Sequence, residues 1–147
     1  MADTDTVVGI TVNGANVTVI DDMVFAALLP EPLPSQWTIL PVNGGIQLQE
    51  KSTGRYLAVP DTELYTQAEA RSTDAKTRNS TWIAYRIDDD SNAATDKIQE
   101  TGMFLLKLAD TDLYLGRQSV EDRSLLPKRV ALVPEQEQTR LVLVVQN

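Results

Sequence analysis

The chain has 147 residues, with 13 Lys and Arg against 21 Asp and Glu, no His and no Cys, and a formal net charge of −8. That length fits one domain able to bury a core without a metal or disulfide staple. Without Cys there are no disulfides, thiolate nucleophiles or Cys-ligated metals; without His, neither Ser-His-Asp nor Cys-His catalysis is available, nor the commonest zinc ligand.

What remains for an enzyme is carboxylate, Lys or Tyr chemistry, so the composition favours binding over catalysis, with no cofactor expected. The acidic balance argues against nucleic acid, whose phosphates require a basic footprint. The start, Met1-Ala2-Asp3-Thr4-Asp5-Thr6, is acidic and lacks the basic and apolar regions of a secretory leader, so a cytoplasmic location is expected. No stretch approaches the roughly 18 apolar residues of a membrane span, and no membrane partner is expected. The glycosylation sequons Asn16-Val17-Thr18 and Asn79-Ser80-Thr81 would matter only in a secreted chain.

Helix signals are poor. The best stretch, Met23-Val24-Phe25-Ala26-Ala27-Leu28-Leu29, is stopped by Pro30, Pro32 and Pro34. Short β-rich runs separated by turn residues predict strands instead. In chain order these cover 7–12, the strand after the Asn13-Gly14 turn, 24–29 and 36–40. A second set covers 45–50, the strand after Thr53-Gly54, 65–70 and 81–85. A third covers 103–108, the strand after Thr111-Asp112, 129–133 and 139–143.

The three sets match in order and spacing. They divide the chain into units of about 1–42, 43–88 and 98–147, with a long polar loop at 88–102. Twelve strands in three such units predict an all-β chain with the β-trefoil fold, in which six strands close a barrel and three hairpins cap it. A Greek-key sandwich is the rival architecture. Trp37, Trp82 and Leu141 fall at equivalent places and are expected to anchor the core, as are Tyr56 and Tyr114.

The run Leu115-Gly116-Arg117-Gln118-Ser119-Val120-Glu121-Asp122-Arg123-Ser124-Leu125-Leu126-Pro127-Lys128-Arg129-Val130 resembles a segment of the mushroom β-trefoil serine protease inhibitors, the cospin-like or mycospin family. Weaker similarities to that family lie in 20–29 with Gln36-Trp37-Thr38-Ile39, and in Ile46-Gln47-Leu48-Gln49-Glu50-Lys51 with the residues after it. In the family the Glu-Asp-Arg-Ser-Leu-Leu-Pro-Lys unit comes first, whereas here it comes last. The resemblance therefore implies a circular permutation by one unit, with the 88–102 loop holding the join.

A trefoil core is scaffold, and specificity sits on its loops. The connection after the second strand of each unit is short at Asp21-Asp22-Met23, longer at Pro60-Asp61-Thr62-Glu63-Leu64, and longest at 118–128. A trypsin-like protease has an acid at the base of its specificity pocket, so a substrate-like inhibitor presents Arg or Lys followed by a small residue. Arg123 and Ser124 fit that requirement, with Asp122, Leu125 and Lys128 as neighbouring contacts. A monomer partnered by a trypsin-like serine protease is the expectation.

Against this, Glu121, Asp122 and Arg123 could be a charge cluster that only shapes the loop, and Lys128 and Arg129 could begin the next strand. Other basic loop positions are Arg71, Lys76, Arg78 and Lys97, while Lys51 and Arg55 read as solvated charge beside a turn. Two other functions stay open. Glycine turns at Asn13-Gly14, Asn43-Gly44-Gly45 and Ser52-Thr53-Gly54 suit the related inhibitors of papain-like cysteine proteases, though each is also an ordinary hairpin turn. A sugar-binding trefoil would want aromatic residues beside Asp21-Asp22, Asp61 and Asp122, and none lies next to them. Carboxylate pairs such as Asp110 and Asp112 read as turn residues rather than as an acid–base pair, and 88–100 lacks the ligand spacing of a calcium loop.

Overall fold

The structure is a computed structural model, and it describes residues 6–12, 14–27, 34–72, 78–88, 94–95, 97–117, 128–135 and 139–146. Among these residues there is no α-helix, and one 3₁₀ turn spans Arg78–Ser80. The strands are β1 (Val7–Val12), β2 (Ala15–Ile20), β3 (Met23–Ala27), β4 (Gln36–Val42), β5 (Gly45–Glu50), β6 (Tyr56–Ala58), β7 (Glu69–Arg71), β8 (Trp82–Arg86), β9 (Ala94–Thr95), β10 (Gly102–Leu108), β11 (Tyr114–Arg117), β12 (Lys128–Val133) and β13 (Leu141–Gln146).

Six of these strands close on themselves. β1 pairs β4, β4 pairs β5, β5 pairs β8, β8 pairs β10, β10 pairs β13, and β13 returns to β1, every pair antiparallel. Closure removes the open edges that a flat sheet would expose, and among the described residues every strand belongs to this one sheet, which leaves no second sheet for the rival sandwich. The remaining long strands form three hairpins, β2–β3, β6–β7 and β11–β12. These meet one another: β3 pairs both β7 and β12, and Gln67 bridges to Ala131.

The strict alternation of β1, β5 and β10 explains the core. Val8, Ile46 and Phe104 are fully buried, and each lies opposite a buried residue of the strand that ends its set: Trp37, Trp82 and Leu141. One pleat further, Ile10, Leu48 and Leu106 point inward as well. The next inward position holds Val12, Glu50 and Leu108. Glu50 is only 4% exposed, and its carboxylate accepts hydrogen bonds from Ser35 Oγ and Thr53 Oγ1, both at 2.7 Å. A carboxylate thus replaces an aliphatic side chain, and the two hydroxyls satisfy both its oxygens.

Four expectations need correction. Tyr56 and Tyr114 are half-buried at the starts of β6 and β11 rather than core anchors. Among the described residues there are thirteen strands, not twelve, because Ala94 and Thr95 add to β8 opposite Tyr85 and Ala84. The 88–102 segment is accordingly not a plain polar loop: Ile98 is buried in the core, Asp88 Oδ2 accepts from Met103 N (3.2 Å), and Arg86 donates to Glu100 O (3.0 Å). Arg86 also lies over the Phe104 ring, 4.8 Å from its centroid. Finally, the strand expected at 65–70 is only Glu69–Arg71, since Tyr65 has a φ of +64° and residues 65–68 bond to β12 instead.

Candidate functional site

The segment expected to carry recognition connects β11 to β12. Its ends are held by an antiparallel hairpin base in which Tyr114, Leu115, Gly116 and Arg117 face Val133, Leu132, Ala131 and Val130. On its other side β12 pairs with β3, Lys128 opposite Ala26 and Arg129 opposite Phe25. Asp122, Arg123, Ser124 and Leu125 lie outside the described residues, as do Glu121 and Pro127. Lys128 closes the connection as the half-buried first residue of β12, while Arg129 beside it is exposed. From Arg117 to Arg129 there are four basic residues and two acids, a local basic excess in a chain of net charge −8.

Thr139 supports the N-terminal end of this connection. Its hydroxyl accepts a hydrogen bond from the backbone N–H of Arg117 at 3.2 Å. Gly116 permits the approach, because a Cβ on that buried residue would collide with Thr139 Oγ1 and crowd Val133. Gly116 and Arg117 lie within the run that carries the family resemblance, whereas Thr139 lies 22 residues beyond Arg117, outside that run.

The two corresponding connections are shaped differently. Between β2 and β3, Asp21 and Asp22 both have positive φ, 51° and 66°, which closes a two-residue turn between Ile20 and Met23. Asp22 also forms an ion pair with Arg55 at 2.7 Å, so Arg55 is not the plain solvated charge expected. Between β6 and β7, Asp61 Oδ1 accepts from Glu63 N (3.0 Å) and from Thr66 Oγ1 (2.6 Å). Beyond it the chain is pinned to β12, with Tyr65 N donating to Leu132 O (2.7 Å) and Leu132 N to Thr66 O (3.0 Å). Leu64 and Tyr65, 51% and 40% exposed, are the exposed large hydrophobic residues among those described.

Hydrogen bonding from Thr66, and secondarily from the Glu63 backbone, holds the Asp61 carboxyl below its ordinary pKa of 3.8. A depressed carboxylate stabilises the fold above its unfolded pKa, and that contribution is lost as pH falls through the folded value. The Asp61→Asn variant is therefore expected to be slightly less stable than the parent at pH 7 and to converge with it in acid, once pH has fallen through the lowered folded-state value. Thermal midpoints at the two pH values check this; an equal gap at both would contradict it.

The other candidates resolve into structure. Gly14, Gly44 and Gly54 have φ of 83°, 92° and 76°, as hairpin turns demand. The Asp112 side chain is fully exposed and 3.8 Å from Lys107 Nζ, and Thr111 Oγ1 accepts from Leu113 N within the same turn. Arg71, at the end of β7, lies 3.7 Å from Glu69, Lys97 is exposed, and Lys76 lies outside the described residues. Trp37 and Trp82 are fully buried. Among the described residues no group of three or more Asp and Glu side chains comes together as a metal site. A cavity of about 490 Å³ beside Ser35, Glu50 and Lys51 has no aromatic lining.

Solved structures share this fold. A ricin B-like lectin of Macrolepiota procera, solved in complex with lactose, superposes with a TM-score of 0.71 at 16% identity, covering 98% of each chain. An SDF2-like protein from Arabidopsis thaliana gives a TM-score of 0.68 at 13% identity, over 95% of this chain and 92% of that one. A lectin of Polyporus squamosus gives 0.65 at 13% identity, over all of this chain and 50% of the other. No curated protein sequence matches the chain. Residues 97–147, the third of the chain that carries β10 to β13 and the connection between β11 and β12, match the family model described as Peptidase inhibitor I66.

Proposed function

We propose that the chain is a protease inhibitor directed at trypsin-like serine proteases, acting through the 118–128 segment with Arg123 as the primary contact. The observation that carries this reading is the match of residues 97–147 to a peptidase inhibitor family, because the matched region contains that whole segment. Arg123 enters the specificity pocket and meets the acid at its base; Ser124 is small enough to pass the catalytic serine. Asp122, Leu125 and Lys128 flank this contact.

A segment whose ends are fastened in a hairpin base meets less ordering cost on binding than a free peptide. If the protease cuts it, the fastened ends stay in place and can be rejoined, so the enzyme is occupied rather than released. The partner supplies the catalytic groups; this chain acts as a monomer, not an enzyme, and needs no cofactor.

The proposal includes a cytoplasmic protein of mushroom type with three four-strand β-trefoil units, rotated by one unit relative to its relatives. The ring of β1, β4, β5, β8, β10 and β13 and the three hairpins support that layout. Val7 lies opposite Gln146, so the first and last strands are neighbours. Linking Asn147 to Asp3 and opening the chain near Ser91 is expected to yield a folded protein with similar inhibition. Circular dichroism and a trypsin titration check this, and an unfolded product would mean that the units are divided elsewhere.

A sugar-binding reading is favoured by one observation, the lactose-bound lectin with the same fold. Against it, Asp22 is engaged by Arg55, Asp61 shapes its own loop, and both Trp side chains are core. Titrating trypsin, papain and a glycan array with one preparation separates the possibilities. Inhibition of trypsin alone supports the proposal, inhibition of papain alone moves the reading to the cysteine protease inhibitors, and glycan binding alone overturns both.

A further inference from the structure

We infer that Thr139 is a positioning residue for protease inhibition, holding the start of the 118–127 connection through the Arg117 backbone. This rests on the inhibitor reading and adds the element that would make the connection a stable inhibitor rather than a substrate.

Three observations meet at this point. The Thr139 hydroxyl, on a residue only 8% exposed, accepts the N–H of Arg117, the last residue of β11. Gly116 lets β11 come that close, since any side chain there would strike Thr139. The matching place in the previous set is held otherwise. Ser80 precedes Trp82 by two residues, as Thr139 precedes Leu141, and its hydroxyl accepts from Gln47 Nε2 at 2.9 Å. There the strand exit, Val59 N, is tied to the backbone carbonyl of Asn79 at 3.0 Å. The exit of β11 is thus tied to a side-chain hydroxyl, whereas the exit of β6 is tied to a backbone carbonyl.

That difference has a chemical consequence. A hydroxyl oxygen accepts the Arg117 N–H and fixes where the chain leaves the sheet. Without it, that N–H lies against a methyl group in a part-buried site, and the exit loosens or moves towards water. A looser start raises the ordering cost of binding, and it lets the cut ends separate before they can be rejoined.

The test uses the full chain carrying Thr139→Val, which keeps the shape and removes the hydroxyl, with Thr139→Ser as the conservative variant and Ser80→Ala as the matched control. Inhibition constants against trypsin, the rate of chain cleavage on long incubation, and amide exchange of a peptide covering 117–127 are measured for each. Thr139→Val is expected to weaken inhibition about five- to tenfold, the equivalent of about 1–1.4 kcal/mol, and to hasten both cleavage and exchange. Thr139→Ser should stay within about twofold of the parent, and Ser80→Ala should leave inhibition unchanged.

The inference is overturned if Thr139→Val inhibits and exchanges like the parent, or if Ser80→Ala weakens inhibition as much. If the parent itself does not inhibit trypsin, the functional reading fails by a separate route. Faster exchange in Thr139→Val would then still support the anchor, and unchanged exchange would overturn it.

Discussion

Replacing Arg123 with Glu is expected to raise the inhibition constant against trypsin by roughly a thousandfold or more while leaving the thermal midpoint unchanged. The size follows from charge. A basic side chain buried against an acid is among the strongest single contacts in an interface, and truncating one partner costs about 2–5 kcal/mol. Reversal adds repulsion between two carboxylates in a pocket that excludes water. Stability should change by no more than about 0.5 kcal/mol, the range for substitutions in a segment exposed to its partner, as the proposed function requires of 118–128. Inhibition assays beside a melting curve give both numbers. Retained nanomolar inhibition by Arg123→Glu would move the primary contact to another residue, with Lys128 and Arg129 next in order.

The largest effect on stability is expected at Trp82. Its ring is fully buried, and its Nε1 donates to Leu57 O at 3.0 Å. Gly45 packs directly against the Trp82 carbonyl, so the backbone around it cannot relax easily into a void. Trp82→Ala should cost about 3–5 kcal/mol, a large share of a single domain's total.

A gentler pair of variants isolates the hydrogen bond. Trp82→Phe leaves a buried carbonyl without its donor, whereas Trp37→Phe deletes a buried donor that has no partner among the described residues. The two rings sit at matching places, opposite Ile46 and Val8, so the lost volume is comparable. Trp82→Phe should therefore be the more destabilising by about 1 kcal/mol or more in chemical denaturation. Equal costs would mean that the Trp37 indole finds a partner of its own.

Period-two alternation made much of the fold legible. The strands at 7–12 and 45–50 were readable to the residue, because apolar side chains recur at 8, 10 and 12 and at 46 and 48, and a glycine-containing turn bounds each pair. The equivalence of Trp37, Trp82 and Leu141 was readable for the same reason, and all three are buried opposite the first inward residue of their set.

Where local pattern and structure part, the cause is shared. Tyr65 suits a strand by composition, yet its positive φ and its bond to Leu132 take it out of one. Glu50 sits where alternation calls for an apolar residue, and only Ser35 and Thr53 make its burial tolerable. The 88–102 segment was read as a polar loop, and packing draws its Ile98 into the core.

The candidate site was legible in part. Composition excluded His and Cys chemistry outright, and the contrast in length among three corresponding connections drew attention to 118–128. Arg117 and Gly116 were visible as sequence, but their neighbour Thr139 was not, because nothing local to either segment predicts a hydrogen bond across 22 residues.

Sequence by itself therefore determined the all-β pattern, the range of chemistry open to the chain and the segment on which its proposed function rests. Tertiary structure alone decided the closure of the ring, where Val7 meets Gln146 from the far end of the chain, the burial of Glu50, and the hydroxyl at the exit of β11. The physical reason is range. Alternation and turn chemistry act between neighbours, whereas strand pairing and the satisfaction of buried polar groups depend on which distant residues the packed chain brings together.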